Sequence, residues 1–169
     1  NPSKNTQAPS GVFPMEGKNI LSLDTRANSA YLGIANEGLT VLDVADLGAV
    51  AQIERIGGMP QLTAITYQEA IAYVGDGNQG LRILKLDDNY AISALSNADS
   101  QAELNGSIED MRVLNNYVYM ASCQHGLNIL RLGENHKVQG RYHFKDMSGC
   151  AVALDAINNS LIVAVEDKG

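Results

Sequence analysis

The 169-residue sequence predicts an all-β fold built from a repeated four-stranded antiparallel sheet. Two observations lead to this prediction. One unit recurs along the chain, and within each copy short apolar segments alternate with turn residues. Glycine, asparagine and β-branched residues interrupt every candidate helix, which argues against helical repeats.

The repeat is clearest in the segment Ala30–Val44, which reads AYLGIANEGLTVLDV. It returns at Ala72–Leu86 and at Val118–Leu132, and a fourth copy begins at Leu161. Successive copies are offset by 42, 46 and 43 residues, as one column shows: Tyr31, Tyr73, Tyr119 and Ile162. A second column lies about eight residues earlier in each copy and consists of Leu23, Ile65, Met111 and Leu154. Ungapped matching at this many columns indicates a true internal repeat.

Each copy is predicted to contain four strands. The first is short, as in Ile20–Asp24, and a tight turn joins it to the strand that carries the tyrosine column. A second turn ends in a repeated glycine, which suits a position with positive φ and so predicts a hairpin. The third strand follows that glycine with the pattern Leu-x-Ile/Val-Leu-x-Val/Leu. The fourth strand is clearest in Val138–Phe144, with weaker equivalents at Ala49–Ile56 and Tyr90–Leu95.

Four antiparallel strands per period of roughly 40 to 50 residues are typical of a β-propeller blade. The chain is therefore predicted to hold about three and a half to four blades of a larger ring. Residues 1–17 are expected to be a linker or a processed N-terminus, and the blades are expected at 18–57, 58–105, 106–147 and 148–169, the last incomplete. A β-sandwich is the alternative, although sandwiches rarely repeat at the level of sequence.

The strings Ala-Tyr-Leu/Val-Gly and Gly-Leu-x-Ile/Val-Leu-x-Val/Leu resemble those of the LVIVD-repeat propellers of bacteria and archaea. The resemblance covers about Asn19 to Gly169 and is specific in the hairpin columns. Asp43 keeps the acidic residue that ends the motif, whereas Lys85 and Arg131 replace it in the next two copies. The resemblance implies a secreted, periplasmic or cell-surface location and a recognition role, and it supplies no catalytic residues.

The fourth copy stops at Gly169, before its third and fourth strands. A blade with only two strands would leave backbone hydrogen-bonding groups unpaired along an edge. We therefore expect a second chain or segment to complete the propeller. Closure by the N-terminal segment is the alternative, because Gly11–Phe13 could add a strand.

Antiparallel order places the turns between second and third strands beside the connections from one blade to the next. That face surrounds the channel mouth, and its loops are rich in acidic residues, which favours a cation or a basic partner. The candidate ligand-binding residues are Asp76, Asn78, Gln79, Gln124, His125, Asp146, Glu166 and Asp167. The simpler interpretation is that aspartate, asparagine and glycine only form turns here.

Cys123 and Cys150 are the two cysteines, and the predicted topology puts them on the same face of adjacent blades. A disulfide between them is geometrically plausible and agrees with an extracellular setting. Two unpaired buried thiols and a metal site that includes His125 are the alternatives. Two cysteines and one histidine without close spacing are poor evidence for zinc.

The net charge of −7 argues against nucleic acid as a partner, and no apolar run is long enough to insert into a membrane. Asp76–Gly80 resembles a calcium loop in outline but lacks the closing glutamate, so no cofactor is expected, with calcium left open.

Three functions remain open from the sequence. The first is a non-catalytic recognition or scaffold module that binds a protein or a small cationic ligand at the channel mouth. The second is an enzyme whose site at the mouth is completed by a second chain or missing segment. The third is a structural spacer. The absence of any catalytic motif favours binding over catalysis, and the fold alone does not decide.

Overall fold

The computed structural model describes residues 13–77, 80–86, 92–97, 107–123, 125–145, 147 and 149–167. In these residues the chain forms fourteen strands in four separate antiparallel sheets. The first sheet contains β1 (Ile20–Arg26), β2 (Ser29–Ile34), β3 (Gly38–Asp43) and β4 (Ala51–Ile56). The second contains β5 (Leu62–Gln68), β6 (Ile71–Asp76), β7 (Gly80–Leu86) and β8 (Ile92–Asn97).

The third sheet contains β9 (Asp110–Leu114), β10 (Tyr117–Ser122), β11 (Gly126–Leu132) and β12 (Val138–Phe144). A short 3-10 turn, Glu134–His136, joins its last two strands. The described part of the fourth sheet is the hairpin β13 (Gly149–Ile157) and β14 (Ser160–Asp167). Each sheet falls within one copy of the sequence repeat.

Within every sheet the strands pair in chain order, each antiparallel to the next. The first strands of successive sheets lie next to each other, so β1 contacts β5, β5 contacts β9 and β9 contacts β13. Sheets that meet along their first strands and pack face against face form a propeller arrangement. The prediction of an all-β propeller is confirmed.

The repeated glycine closes the hairpin between the second and third strands, as the sequence predicts. Gly38, Gly80 and Gly126 have φ values of +98°, +73° and +74°, where side chains with a Cβ are disfavoured. A Cβ on Gly126 would also lie 2.2 Å from the carbonyl oxygen of Phe144. Positive φ and the close fourth strand therefore both require glycine at this column.

Each sheet has two apolar faces, which we name by direction along the chain. The forward face packs on the next sheet and in the first sheet includes Tyr31, Leu39 and Val41. The backward face points to the preceding sheet and there includes Leu32 and Leu42. Apolar residues on both faces explain why the third strand is apolar at four of six positions.

Three hydrophobic cores fill the spaces between successive sheets. Tyr31 of the first sheet and Val74 of the second belong to one core, and Tyr73 of the second and Val118 of the third belong to the next. Among the described residues, no hydrophobic core joins the first sheet to the fourth. The first strands contact one another in the order β1, β5, β9 and β13, so the four sheets form an arc.

The backward face of the first sheet is partly covered by the chain that precedes β1. Phe13 and Met15 pack on it, next to Leu32. Neither residue belongs to a strand, while Gly11 and Val12, the rest of the predicted closing segment, lie outside the described residues. At the inner end of the same face, Leu23 is 63% exposed, whereas its counterpart Met111 is fully buried.

The part of the chain that the structure describes contains no helix long and apolar enough to cross a membrane.

Candidate functional site

The innermost strands bring one polar column of the repeat together near the axis of the arc. The column follows the apolar series Leu23, Ile65, Met111 and Leu154 by one residue, and its members are Asp24, Thr66, Arg112 and Asp155. Alternation along a strand directs each member to the face opposite its apolar neighbour. The sequence analysis did not identify these residues as site candidates.

Asp110 on β9 contacts both Arg112 and backbone groups near the polar column. Its Oδ1 accepts hydrogen bonds from the Met111 backbone N–H at 2.7 Å and from Arg112 Nη1 at 3.0 Å. Its Oδ2 accepts one from the Leu154 backbone N–H at 2.8 Å, which ties the third sheet to the fourth. Arg112 Nε also lies 3.9 Å from Asp155 Oδ1. The guanidinium is therefore shared between carboxylates of two sheets.

Asp24 faces the same group of charges from the first sheet. Burial raises the pKa of its carboxyl, and repulsion by Asp110 adds to the rise. The hydrogen bond from the Thr25 backbone N–H and the attraction of Arg112 act in the opposite direction. Because the pKa rises on balance, this site favours a protonated Asp24 or a positively charged neighbour.

These charged groups border a cavity of about 400 Å3 between the first three sheets. Strands β1 and β5 supply two walls, with Asp24 and the Thr63 and Thr66 hydroxyl-bearing side chains among the lining residues. Glu109, Asp110 and Arg112 supply the third wall. The lining carries three carboxylates, Asp24, Glu109 and Asp110, and one guanidinium, Arg112. We call this space the axial cavity; its size suits a small polar molecule.

The candidate residues that the structure describes lie at or beside the ends of strands. Asp76 ends β6 and is fully buried, where its Oδ1 accepts a hydrogen bond from the Gln61 backbone N–H at 3.2 Å. Its Oδ2 forms an ion pair with Arg82 at 3.3 Å, while burial raises the pKa of the carboxyl. These contacts give Asp76 a structural role in holding the turn before β5.

His125 begins the turn into β11, and its backbone carbonyl accepts a hydrogen bond from His143 Nε2. Glu166 lies near the end of β14 and is exposed, and Asp167 is the last residue of that strand. Asn78, Gln79, Gln124 and Asp146 lie outside the described residues. The role of the whole set as a ligand-binding face stays a prediction.

The acidic character of this face is reduced by pairing. Glu37, in the turn after β2, forms ion pairs with Lys18 and with Arg55, the latter at 3.2 Å. Asp76 is likewise neutralised by Arg82. Glu37 and Asp76, two acidic residues of this face, therefore have basic partners from the segment before β1 and from strands β4 and β7.

The cysteines lie on neighbouring sheets and are bonded. Cys123 follows β10 and Cys150 belongs to β13, and their sulfur atoms are joined at 2.06 Å. The bond fastens the third sheet to the fourth near the end of β14. Among the described residues, no group of three or more histidine, cysteine, aspartate or glutamate side chains is arranged to hold a metal ion.

Comparison with known proteins agrees with this architecture. The LVIVD repeat family matches residues 105–130, which cover the first two strands and most of the third in the third sheet. No curated protein sequence is similar enough to the chain to count as a match. The family match thus rests on one copy of the repeat.

Solved structures resemble the chain in fold. The computationally designed Ika4 protein has a TM-score of 0.68 at 13% identity, and the alignment covers 95% of this chain and 93% of that one. An α-L-arabinofuranosidase from Clostridium thermocellum has a TM-score of 0.59 at 12% identity, with 88% of this chain and 63% of that one aligned. The WD40 β-propeller domain of Doa1 has a TM-score of 0.52 at 10% identity, with coverages of 88% and 62%.

At these identities the similarity concerns the fold alone, and the chain spans less than two thirds of the last two proteins. The repeat in the sequence, the stacked four-stranded sheets and the family match all point to one conclusion. The chain is a β-propeller in which residues 105–130 match the LVIVD repeat family.

Proposed function

We propose that this propeller is a non-catalytic recognition module of an extracellular or cell-surface protein. Its ligand would be a small molecule or side chain with positive charge, held at the axial cavity below the channel mouth. The observation that supports the proposal is the lining of that cavity, which carries three carboxylates and a single guanidinium. A bound cation would compensate the excess negative charge and stabilise the ionised form of Asp24.

The disulfide supports the proposed location. A bond between Cys123 and Cys150 persists in oxidising compartments and is rare in reducing ones. Cys123 is only partly buried, so a reducing environment would have access to the bond. An extracellular or periplasmic setting therefore fits the bond better than the cytosol does.

The proposal is tested with small ligands of matched size and different charge. Putrescine and the free amino acid arginine are titrated into 15N-labelled protein, with erythritol and succinate as neutral and anionic probes. We expect amide shifts at Thr63 and Thr66 with the cationic probes only. Asp24→Asn should weaken the binding, whereas Glu134→Gln, which removes an exposed carboxylate at the outer edge of the third sheet, should not.

Succinate binding as tightly as putrescine would show that charge does not govern recognition, and equal loss in both variants would show that the axial cavity is not the site. Absence of shifts with every probe would remove the support for a cationic ligand.

The competing function is an enzyme whose active site at the axis is completed by a second chain or segment. The raised pKa of Asp24, close to Asp110, supports this alternative, since carboxyls of shifted pKa serve as general acids and bases. Turnover of a ligand that binds, lost in Asp24→Asn while binding persists, would favour the enzyme. Binding without turnover favours the recognition module.

A further inference from the structure

The hydroxyl-bearing side chains that line the axial cavity, as far as the structure describes it, are Ser22, Thr63 and Thr66. Two of them already donate their proton to the backbone. Thr63 Oγ1 donates a hydrogen bond to the Ile108 carbonyl oxygen at 2.5 Å, and Ser22 Oγ donates one to the Leu62 carbonyl oxygen at 3.4 Å. Because a hydroxyl has a single proton and two lone pairs, both oxygens can only accept further hydrogen bonds.

The third hydroxyl belongs to Thr66, the member of the polar column on β5. This side chain is only 7% exposed and lines the cavity. Within the described part of the chain its hydroxyl makes no hydrogen bond. Because a buried polar group without a partner is unfavourable, the Thr66 hydroxyl marks a place in the cavity where a polar ligand atom completes the hydrogen bonding.

The carboxylates add acceptors from the two other walls. Asp24 on β1 accepts one hydrogen bond, from the Thr25 backbone N–H to its Oδ1. Glu109, just before β9, is exposed, and its carboxylate has no hydrogen bond or ion pair with any described residue. Oxygen atoms that can accept a hydrogen bond therefore border the cavity from the first, second and third sheets.

Side-chain donors are scarce in the same lining. Arg112 carries the positive charge among the described lining residues, and its Nη1 is bonded to Asp110 Oδ1 and to the Met111 carbonyl oxygen at 2.8 Å. The inner edges of β1 and β5 add backbone N–H and C=O groups in similar number, so they do not change the balance. The cavity thus offers a ligand more acceptors than donors.

We propose that the axial cavity selects cations by their N–H groups and binds a primary alkylammonium, with Thr66 Oγ1 as the acceptor that determines this specificity. This inference rests on the proposed function, in which the cavity holds a positively charged ligand, and it adds the chemical class of that ligand. The N–H groups of an alkylammonium point in different directions and can reach oxygens on different walls, whereas a quaternary ammonium has no proton to donate.

The other classes of cation fit the lining less well. Quaternary ammonium groups are held by the faces of aromatic rings, and no aromatic side chain is among the described residues of the lining. Calcium takes about six to eight oxygen ligands, with several carboxylates among them. The described residues contain no group of three or more acidic, histidine or cysteine side chains arranged to hold a metal ion.

The test compares two cations of equal charge and equal chain length. Propylammonium and N,N,N-trimethylpropylammonium are titrated separately into the 15N-labelled chain, and calcium chloride is a third probe. We expect saturable amide shifts at Thr63 and Thr66 with propylammonium, and an affinity at least about tenfold lower for the trimethyl compound. Calcium at millimolar concentration should not displace propylammonium.

Variants of Thr66 identify the atom that is responsible. Thr66→Val keeps the shape and removes the acceptor, so it should weaken propylammonium binding about tenfold and leave the trimethyl compound unaffected. Thr66→Ser keeps the oxygen and should retain the affinity. Thr40→Val is the matched control, because Thr40 is 2% exposed in β3 and does not line the cavity. Circular dichroism checks that each variant folds, and the comparison of ligands on the unaltered chain does not depend on the variants.

Equal affinity for the two alkyl cations, or an unchanged preference in Thr66→Val, would overturn this inference and leave the cation-binding function standing. Displacement of propylammonium by calcium would assign the oxygens to a metal ion and would also overturn it. If neither propylammonium nor putrescine binds, the proposed function falls and this inference falls with it.

Discussion

Reducing the Cys123–Cys150 bond should destabilise the protein by an amount that its chain separation sets. The bond closes a loop of 27 residues, and loop-closure entropy for that length corresponds to about 3.5 kcal/mol at 25 °C. For a chain of this size, each kcal/mol shifts the Tm by roughly 2 to 4 °C, so the expected loss is about 10 °C. Strands β10 and β13 also pack on each other, so the sheets should stay associated after reduction.

The assay is urea unfolding followed by circular dichroism, with the oxidised protein compared with protein reduced by a phosphine. With a urea dependence of about 2 kcal/mol/M, the midpoint should fall by about 1.5 to 2 M. The double variant Cys123→Ala, Cys150→Ala is the control, and its midpoint should not respond to the reductant. A difference below about 1 kcal/mol between oxidised and reduced protein would refute the reasoning, because the bond would then add little constraint to the unfolded chain.

Gly33→Ala should destabilise the protein by at least about 2 kcal/mol, because the added Cβ would lie 2.4 Å from Leu62 Cδ2 and 2.7 Å from the Leu62 carbonyl oxygen. Gly57→Ala is the control, since no atom lies within 4 Å of its added Cβ, and it should change stability by less than about 0.5 kcal/mol. Equal urea midpoints would contradict the close approach of the first two sheets. Asp24→Asn should raise the Tm at pH 7 and change it less at pH 3. In the folded protein the pKa of the Asp24 carboxyl is raised above 3.8, so this carboxyl favours folding at low pH. That contribution is lost as the pH rises through the pKa of the folded state. Thermal scans at the two pH values measure it, and a larger gain at pH 3 would reverse the assigned sign. Tyr73→Phe should cost about 1 kcal/mol, since the hydroxyl forms a 2.9 Å hydrogen bond with His136 Nδ1; an unchanged urea midpoint would show that this bond contributes nothing net.

The fold could be predicted from the sequence because the same hairpin pattern recurs in several copies of the repeat. The column Gly38, Gly80 and Gly126 marks a turn that only glycine adopts easily, and the alternating pattern before and after it defines two strands. Fourth strands were harder to locate: Val138–Phe144 was predicted with the bounds it has, whereas Tyr90–Leu95 became Ile92–Asn97. Outer strands have only one paired edge and carry more polar residues, so their periodicity is less distinct.

The axial cavity could not be read in the same way. Asp24, Thr66, Arg112 and Asp155 share one column but differ in residue type, and the repeat was identified from columns that stay alike. Only their place in the repeat could have identified these residues, because each follows a member of the apolar column on the first strand. Which charges meet there depends on how neighbouring sheets approach one another, as the bond from Leu154 N–H to Asp110 shows.

The acidic face was predicted from loop composition alone, without the basic residues that lie near it in the folded chain. Glu37 meets Lys18 and Arg55, which lie far from it in sequence, and Asp76 meets Arg82 across its own hairpin. A count of loop residues omits cations that reach the face from strands. Net charge in the sequence is therefore a poor guide to the potential at one surface.

The unequal faces of the sheets determine how the architecture can change in length. The forward face of each of the first three sheets, such as that of Tyr31, Leu39 and Val41, meets the backward face of the sheet that follows it. Excising or duplicating one whole repeat leaves the newly adjacent surfaces complementary, whereas half a repeat does not. Insertions and deletions of whole repeats should therefore be tolerated, so that the number of blades changes by one complete blade at a time.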